Sequence, residues 1–189
     1  SSSSWQVSLN SKVTGSKGYL RLHLPDQMYT TYPQYDTGID ANLLTFNGAT
    51  NSAGEGAYNN LVNNYIAYCW HSVPGYSAFG MFTGSKTAFV HTGFRPAFLM
   101  LKCIDIDTNN PEYYPWTMLD NARSPYNYTN PPLYANMNKV ENQRGGSTDA
   151  YGSSDTLDFL SNGFKVRMTN AYGELGGGVN QRYIYMAFA

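Results

Sequence analysis

The residues with the clearest chemical potential lie in YIAYCWHSVPGY (65–76), where a single residue separates Cys69 from His71. A thiol beside an imidazole can serve as nucleophile and base, or as two ligands of a zinc ion. Side chains alternate between the faces of a strand, so Cys69 and His71 share one face. A cysteine nucleophile also needs a helix start or a cationic partner to lower its pKa, and neither signature surrounds Cys69. We interpret the stretch as the last strand of a β-unit, followed by a turn at Pro74 and Gly75.

Other motifs that would support catalysis or metal binding are missing from the sequence. The chain has 3 His and 2 Cys, with no paired ligand motif, so neither a metal nor a cofactor is expected. The acidic stretch CIDIDTNNPEYYPW (103–116) lacks the glycine and distal glutamate of an EF-hand, and a hairpin is the favoured interpretation. We find no catalytic carboxylate pair, nucleophile elbow or phosphate loop, and therefore predict that the chain is not an enzyme. Cys69 and Cys103 are best explained as small buried residues, although the sequence leaves a disulfide open.

The composition excludes several classes of partner. Only 13% of the residues are charged, the formal net charge is −1, and Lys and Arg are scattered. Without a basic stripe, nucleic acid is not an expected partner. No run of about 18 apolar residues occurs, so membrane insertion is not expected either.

The elements that must position any site are predicted to be strands. The 17 Tyr, 9 Phe and 18 Gly favour strands and turns over helices. Short alternating or apolar runs, bounded by Gly, Pro, Asn and Ser, occur at 18–24, 64–70, 76–84, 87–93, 97–106, 114–120, 163–169 and 182–189. Strands in this number, without intervening helices, predict an all-β fold, an antiparallel β-sandwich or barrel.

An internal similarity divides these strands into two copies of one unit. WQVSLN, beginning at Trp5, resembles WTMLDN, beginning at Trp116, and NNYIAYCW (63–70) resembles QRYIYMAFA (181–189). We predict a partial first β-unit at 1–74 and a complete β-sandwich at 75–189. The first copy lacks a counterpart of 75–103, roughly three strands, so we expect the missing strands to come from a longer polypeptide or from a neighbouring chain.

The order of several segments resembles a known family. YIAYCWHSVPGYSAFGMFTG, FVHTGFRPAFLMLK, WTMLDNARSPYN, LYANMNKVEN, DFLSNGFKVR and YIYMAFA are similar to the repeated β-domain of tail-fibre and other virion proteins from marine, cyanophage-like tailed bacteriophages. The resemblance implies a concanavalin-like, lectin-type jelly-roll sandwich on the surface of the phage particle, as a tail fibre or a capsid appendage. It also implies homo-oligomers, trimers in a fibre, and contacts with other virion subunits.

A ligand surface, if present, is expected in the loops rich in tyrosine. Sugar recognition commonly uses an aromatic platform together with Asp, Asn or backbone polar groups, and binding residues are often placed on loops. The candidate residues are Tyr113, Tyr114, Trp116, Tyr126, Asn127, Tyr128 and Tyr134. We expect a non-catalytic receptor-binding module that contacts host cell-surface glycan. The alternative is a capsid decoration or tail component that mediates contacts between subunits without a ligand.

Overall fold

A computed structural model describes residues 5–9, 18–30, 37–39, 44–46, 64, 66–105, 114–129, 131–141, 156–168 and 175–189. Within these ranges the fold is all-β, which confirms the predicted class, and no helix there is long and apolar enough to cross a membrane. The strands are β1 (Gln6–Ser8), β2 (Tyr19–Arg21), β3 (Thr37–Ile39), β4 (Leu44–Phe46), β5 (Ser77–Thr83), β6 (Phe89–His91), β7 (Phe98–Cys103), β8 (Thr117–Asp120), β9 (Leu133–Tyr134), β10 (Thr156–Leu160), β11 (Gly163–Arg167) and β12 (Arg182–Phe188).

The chain divides into two compact units. The first contains Ser1–Leu22 and Met28–Trp70, and the second contains His23–Gln27 and His71–Ala189. In the first unit β1 pairs with β2, and β3 pairs with β4, both antiparallel. The predicted boundary between 74 and 75 lies four residues beyond Trp70, inside the first turn of the second unit.

The second unit is built on a five-stranded antiparallel sheet in the order β5-β12-β7-β8-β9. Strand β12 lies between β5 and β7, with Ile184 opposite both Met81 and Lys102. The hairpin predicted from 97–120 is confirmed, because β7 pairs with β8 in antiparallel register. Of its predicted tip, 107–114, only Tyr114 is among the described residues.

A three-stranded sheet in the order β10-β11-β6 forms the other layer of the second unit. The core contains side chains from both sheets, with Leu99, Leu119 and Ala187 from the larger and Phe159 and Phe164 from the smaller. All five are 1% exposed or less. Two antiparallel sheets that share one apolar core make a β-sandwich.

The stretch that carries Cys69 is only partly as predicted. The turn is confirmed: the N–H of Tyr76 donates to the carbonyl of Val73 at 3.0 Å, and Gly75 has φ 75°. A positive φ at the third turn position suits glycine, because it has no Cβ to clash. The strand predicted at 64–70 is wrong, since residues 66–70 are exposed and form no strand. Their alternation satisfies the strand pattern, but no described neighbouring strand pairs with them.

Candidate functional site

The most prominent candidate surface is the loop between β8 and β9, residues 121–132. Its first part is held by Arg123, whose Nε donates to Asp120 Oδ2 at 2.6 Å. The same guanidinium donates through Nη1 to the carbonyl of Pro131 at 3.0 Å and to Glu141 Oε1 at 2.9 Å. Because Arg123 bonds to residues at both ends of the loop, it fixes the distance between those ends.

The middle of the loop is fastened to β10 by Asn127. The side-chain Nδ2 donates to the carbonyl of Phe159 at 2.9 Å, and Oδ1 accepts from the N–H of Phe159 at 3.0 Å. Two residues later, the N–H of Thr129 donates to the carbonyl of Leu157 at 2.7 Å. The amide of Asn127 thus pairs with β10 as a neighbouring strand would, and this pairing explains why an asparagine stands here.

The anchored loop presents two tyrosines to solvent. Tyr126 is 83% exposed and Tyr128 is 44% exposed. Exposed tyrosine rings combine apolar area with a hydroxyl at low entropic cost, which suits contact with a sugar or a protein. Neither side chain takes part in the hydrogen bonds that anchor the loop.

A basic side chain that the sequence analysis did not single out lies beside this loop. Arg95 Nε donates to the carbonyl of Phe159 at 3.4 Å, the oxygen that Asn127 also contacts. Within the described residues, no hydrogen-bond partner is found for its two terminal nitrogens. A guanidinium so placed can donate to a carboxylate or hydroxyl of a ligand. Its only sequence signal is its place in the turn-forming HTGFRP (91–96).

The structure does not bring all the predicted ligand residues to the surface. Trp116 is 4% exposed and Tyr134 is 8% exposed, so the proposal that these two rings contact a ligand is corrected. Tyr134 belongs to the apolar core between the sheets. Tyr114 is half-buried, and its hydroxyl accepts from Gln181 Nε2 at 3.1 Å. Tyr113 lies outside the described residues.

A second group of polar side chains is buried at the end of β7. Lys102 is 1% exposed, and its Nζ donates to the carbonyls of Cys103 at 2.7 Å and Pro25 at 3.3 Å. Burial lowers the pKa of Lys102 from 10.5 to about 8, because the charged form loses its hydration. An enclosed amine that is already bonded to two carbonyl oxygens is positioned to hold the segment His23–Gln27 of this unit, not to attack a substrate.

The two cysteines are free and lie in different environments, Cys69 exposed and Cys103 buried. Burial raises the pKa of the Cys103 thiol to about 11, and its Sγ lies 3.3 Å from the carbonyl oxygen of Asp105, to which it donates. A thiol protonated in this way is a poor nucleophile. The prediction of a small buried residue is therefore confirmed for Cys103 and wrong for Cys69.

An ion pair ties the end of β7 to the start of β12. Arg182 donates to Asp105 Oδ2 through Nε at 2.8 Å and to Oδ1 through Nη2 at 2.6 Å. These hydrogen bonds hold the pKa of the Asp105 carboxyl below its ordinary value. The pair joins two neighbouring strands of one sheet. In the described part of the chain, no group of three or more His, Cys, Asp or Glu side chains is arranged to hold a metal ion.

Comparison with known proteins gives a family but no described activity. No curated protein and no solved structure matches the sequence. The signature of one family covers residues 1–189. The chain therefore belongs to the family described as Domain of unknown function (DUF7483).

Proposed function

We propose that this chain is a non-catalytic receptor-binding module of a tailed bacteriophage virion, which contacts host cell-surface glycan through the loop 121–132. The observation that carries the proposal is the exposure of Tyr126 and Tyr128 on a loop whose backbone is fastened by Asn127 and Arg123. A preorganised loop loses little conformational entropy when it binds, so more of the contact energy appears as affinity. The phage origin and the position on a tail fibre or capsid appendage rest on the family resemblance of the sequence.

The proposed ligand surface consists of Tyr126, Tyr128 and Arg95. The tyrosine rings would cover an apolar sugar face, while the terminal nitrogens of Arg95 would donate to a hydroxyl or carboxylate. Asn127 is a positioning residue, since both polar atoms of its side chain are already bonded to Phe159. Trp116 and Tyr134 contribute through the core that supports the loop.

Binding to polysaccharide purified from the host surface tests this proposal. We expect Tyr126→Ala and Tyr128→Ala each to weaken binding by about 1 to 2 kcal/mol, roughly five- to thirty-fold. Tyr76→Ala is the matched control, because Tyr76 is 61% exposed but lies in the turn before β5. Equal affinities for all three variants, or no binding by the unaltered chain, would exclude the surface.

A second candidate function is a virion component that joins subunits, in a homo-oligomer such as a trimer. It is favoured by the exposure of Ile66, Tyr68 and Trp70, at 80%, 62% and 57%. Large apolar side chains clustered in a short exposed segment are typical of protein interfaces. A chain that assembles but binds no host polysaccharide would support this candidate over the first.

A further inference from the structure

We infer that residues 66–70 of one copy pair as a β-strand with the free edge of β5 in a second copy of this chain. The inference goes beyond glycan binding and does not depend on it. Within the described residues, the backbone groups of 66–70 make no hydrogen bond. The rings of Tyr68 and Trp70 stack with centroids 6.1 Å apart, as residues two apart do on one side of an extended chain.

The internal repeat shows what such a sequence does when it has neighbours. Alignment of YIAYCW with YIYMAF places Ile66 on Ile184 and Trp70 on Phe188. In β12, Ile184 is only 7% exposed, against 80% for Ile66. The rings of Phe188 and Phe79 pack edge to face, with centroids 5.7 Å apart. The same pattern is buried where strands flank it, so 66–70 has the sequence of a strand that needs a sheet.

The β5 edge has the backbone groups to accept that strand. Gly84 N–H donates to the carbonyl of Gln181, and Ala189 N–H donates to the carbonyl of Tyr76. The backbone N–H and C=O groups of the even-numbered residues of β5 therefore point toward β12. Those of the odd-numbered residues point away from β12, toward the free edge. On that edge, the backbone groups of Val73 and Ser77 exchange two hydrogen bonds, and Ser72 Oγ accepts from the N–H of Phe79.

Beyond these contacts, the outward backbone groups of Met81 and Thr83 have no hydrogen-bond partner in the described part of the chain. Strand β5 is seven residues long and contains neither a charge nor a proline. Such an edge is a template for another strand, which natural sheets usually avoid leaving open. The other edges are shorter or covered: β9 has two residues, β6 has three, and Asn127 and Thr129 bond to β10.

The apolar pattern of both strands selects a register. With Tyr68 opposite Met81 and Ile66 opposite Thr83, the open backbone groups of β5 are paired. Trp70 then lies opposite Phe79, whose N–H stays bonded to Ser72 Oγ. The rings of Tyr68 and Trp70 extend the sheet face that already carries Phe79 and Met81. A slip of the segment 66–70 by one residue would turn all of its side chains to the opposite face of the sheet. Neither strand carries a charge that would oppose the pairing.

The contact is large enough for a specific assembly. A fully buried aromatic side chain covers about 150 to 250 Å², so Tyr68 and Trp70 still expose on the order of 250 Å² together. With Ile66, the strand backbone and the acceptor surface, one contact buries on the order of 1,000 Å², about the minimum for a biological interface. Each copy carries one 66–70 segment and one free β5 edge, so the contact can repeat from copy to copy until a ring closes.

Crosslinking between two variants tests the inference. One chain carries Tyr68→Cys and Cys69→Ser, and the other carries Met81→Cys and Cys69→Ser. In the proposed register the two new thiols face each other within disulfide distance. After mixing and mild oxidation, the yield of each disulfide is measured by mass spectrometry. We expect the yield of the 68–81 disulfide to be at least five-fold higher than in a control that carries Val140→Cys in place of Tyr68→Cys. Val140 is 71% exposed and lies outside both strands.

Backbone variants supply the second measurement, the mass of the assembly in solution. Tyr68→Pro removes an N–H that points toward β5 and should leave monomers, whereas Ala67→Pro removes one that points away and should retain the assembly. Proline is tolerated at an edge where its nitrogen faces solvent. A monomeric unaltered chain, crosslinking no greater than the Val140→Cys control, or equal effects of both prolines would each overturn the inference.

Discussion

Replacing Lys102 with methionine tests whether a buried charge is held on β7 at neutral pH. Methionine has a similar length, so the apolar stem of the side chain keeps its volume. The variant loses the two hydrogen bonds from Nζ to the carbonyls of Cys103 and Pro25 at every pH. Only the cost of burying the charge changes with pH, and that change can be measured.

The magnitude follows from the pKa of Lys102, which burial lowers from 10.5 to about 8. At about 1.4 kcal/mol per pKa unit, the charged amine costs on the order of 3 kcal/mol of stability. Below pH 8 the amine is protonated in both the folded and unfolded states, so the full cost is present. Between pH 8 and 10.5 the unfolded chain binds more protons than the folded one, so stability rises with pH and the cost disappears.

Cys103 opposes this trend in the unaltered protein. Burial raises the pKa of its thiol from 9.0 to about 11, so the folded chain retains a proton that the unfolded chain loses, and stability falls between those values. Both proteins contain Cys103. The difference between them therefore reports Lys102 together with its Coulombic interaction with that thiol.

Urea unfolding at pH 7 and pH 10 measures that difference. We expect the free energy of unfolding of Lys102→Met, minus that of the unaltered protein, to be larger at pH 7 than at pH 10 by about 2 kcal/mol. The substitution is thus more stabilising, or less destabilising, at pH 7. Lys165→Met, which removes a charge from an exposed position on β11, is the control for charge loss alone. The reasoning is refuted if the Lys102→Met difference changes by less than about 0.5 kcal/mol between the two pH values.

Three further predictions concern the thiols, the core and the anchored loop. A thiol reagent should modify exposed Cys69 within minutes and Cys103 only when the protein unfolds; equal rates would contradict the burial of Cys103. Leu119→Ala should lower the free energy of unfolding by about 2 to 5 kcal/mol, because Leu119 is 0% exposed, while Leu133→Ala, 36% exposed, should cost under about 1 kcal/mol by the same assay. Asn127→Ala removes two hydrogen bonds and should cost about 1 to 3 kcal/mol; hydrogen exchange should then accelerate in loop 121–132, and an unchanged loop would contradict the anchoring role.

The fold class could be predicted from the sequence because alternation and turn residues are local signals. In β12, the alternate residues Tyr183 and Ala187 face the core, as the pattern of RYIYMAFA requires. The turn at Pro74 and Gly75 was equally readable. The stretch 64–70 has the same signal, yet it forms no strand, because a strand also depends on neighbours that its own sequence does not specify.

The candidate site was harder to predict for a related reason. Tyr126 and Tyr134 lie eight residues apart in one loop-rich stretch, and composition cannot tell that the first is exposed and the second is in the core. The anchoring of Asn127 depends on Phe159, 32 residues away. The position of Arg95 depends on the same carbonyl, 64 residues away. Contacts at such separations are tertiary, so residue types alone do not reveal them.

The pairing of Asn127 and Thr129 with β10 also has an evolutionary consequence. These bonds close one edge of the sandwich and hold the loop, while the side chains of Tyr126 and Tyr128 take no part in them. Asn127 and Thr129 thus stabilise the fold, while Tyr126 and Tyr128, which alternate with them along the chain, form the exposed surface. Substitutions at the two tyrosines can accumulate without loss of folding, so we expect members of the family to differ at these two positions while keeping the asparagine.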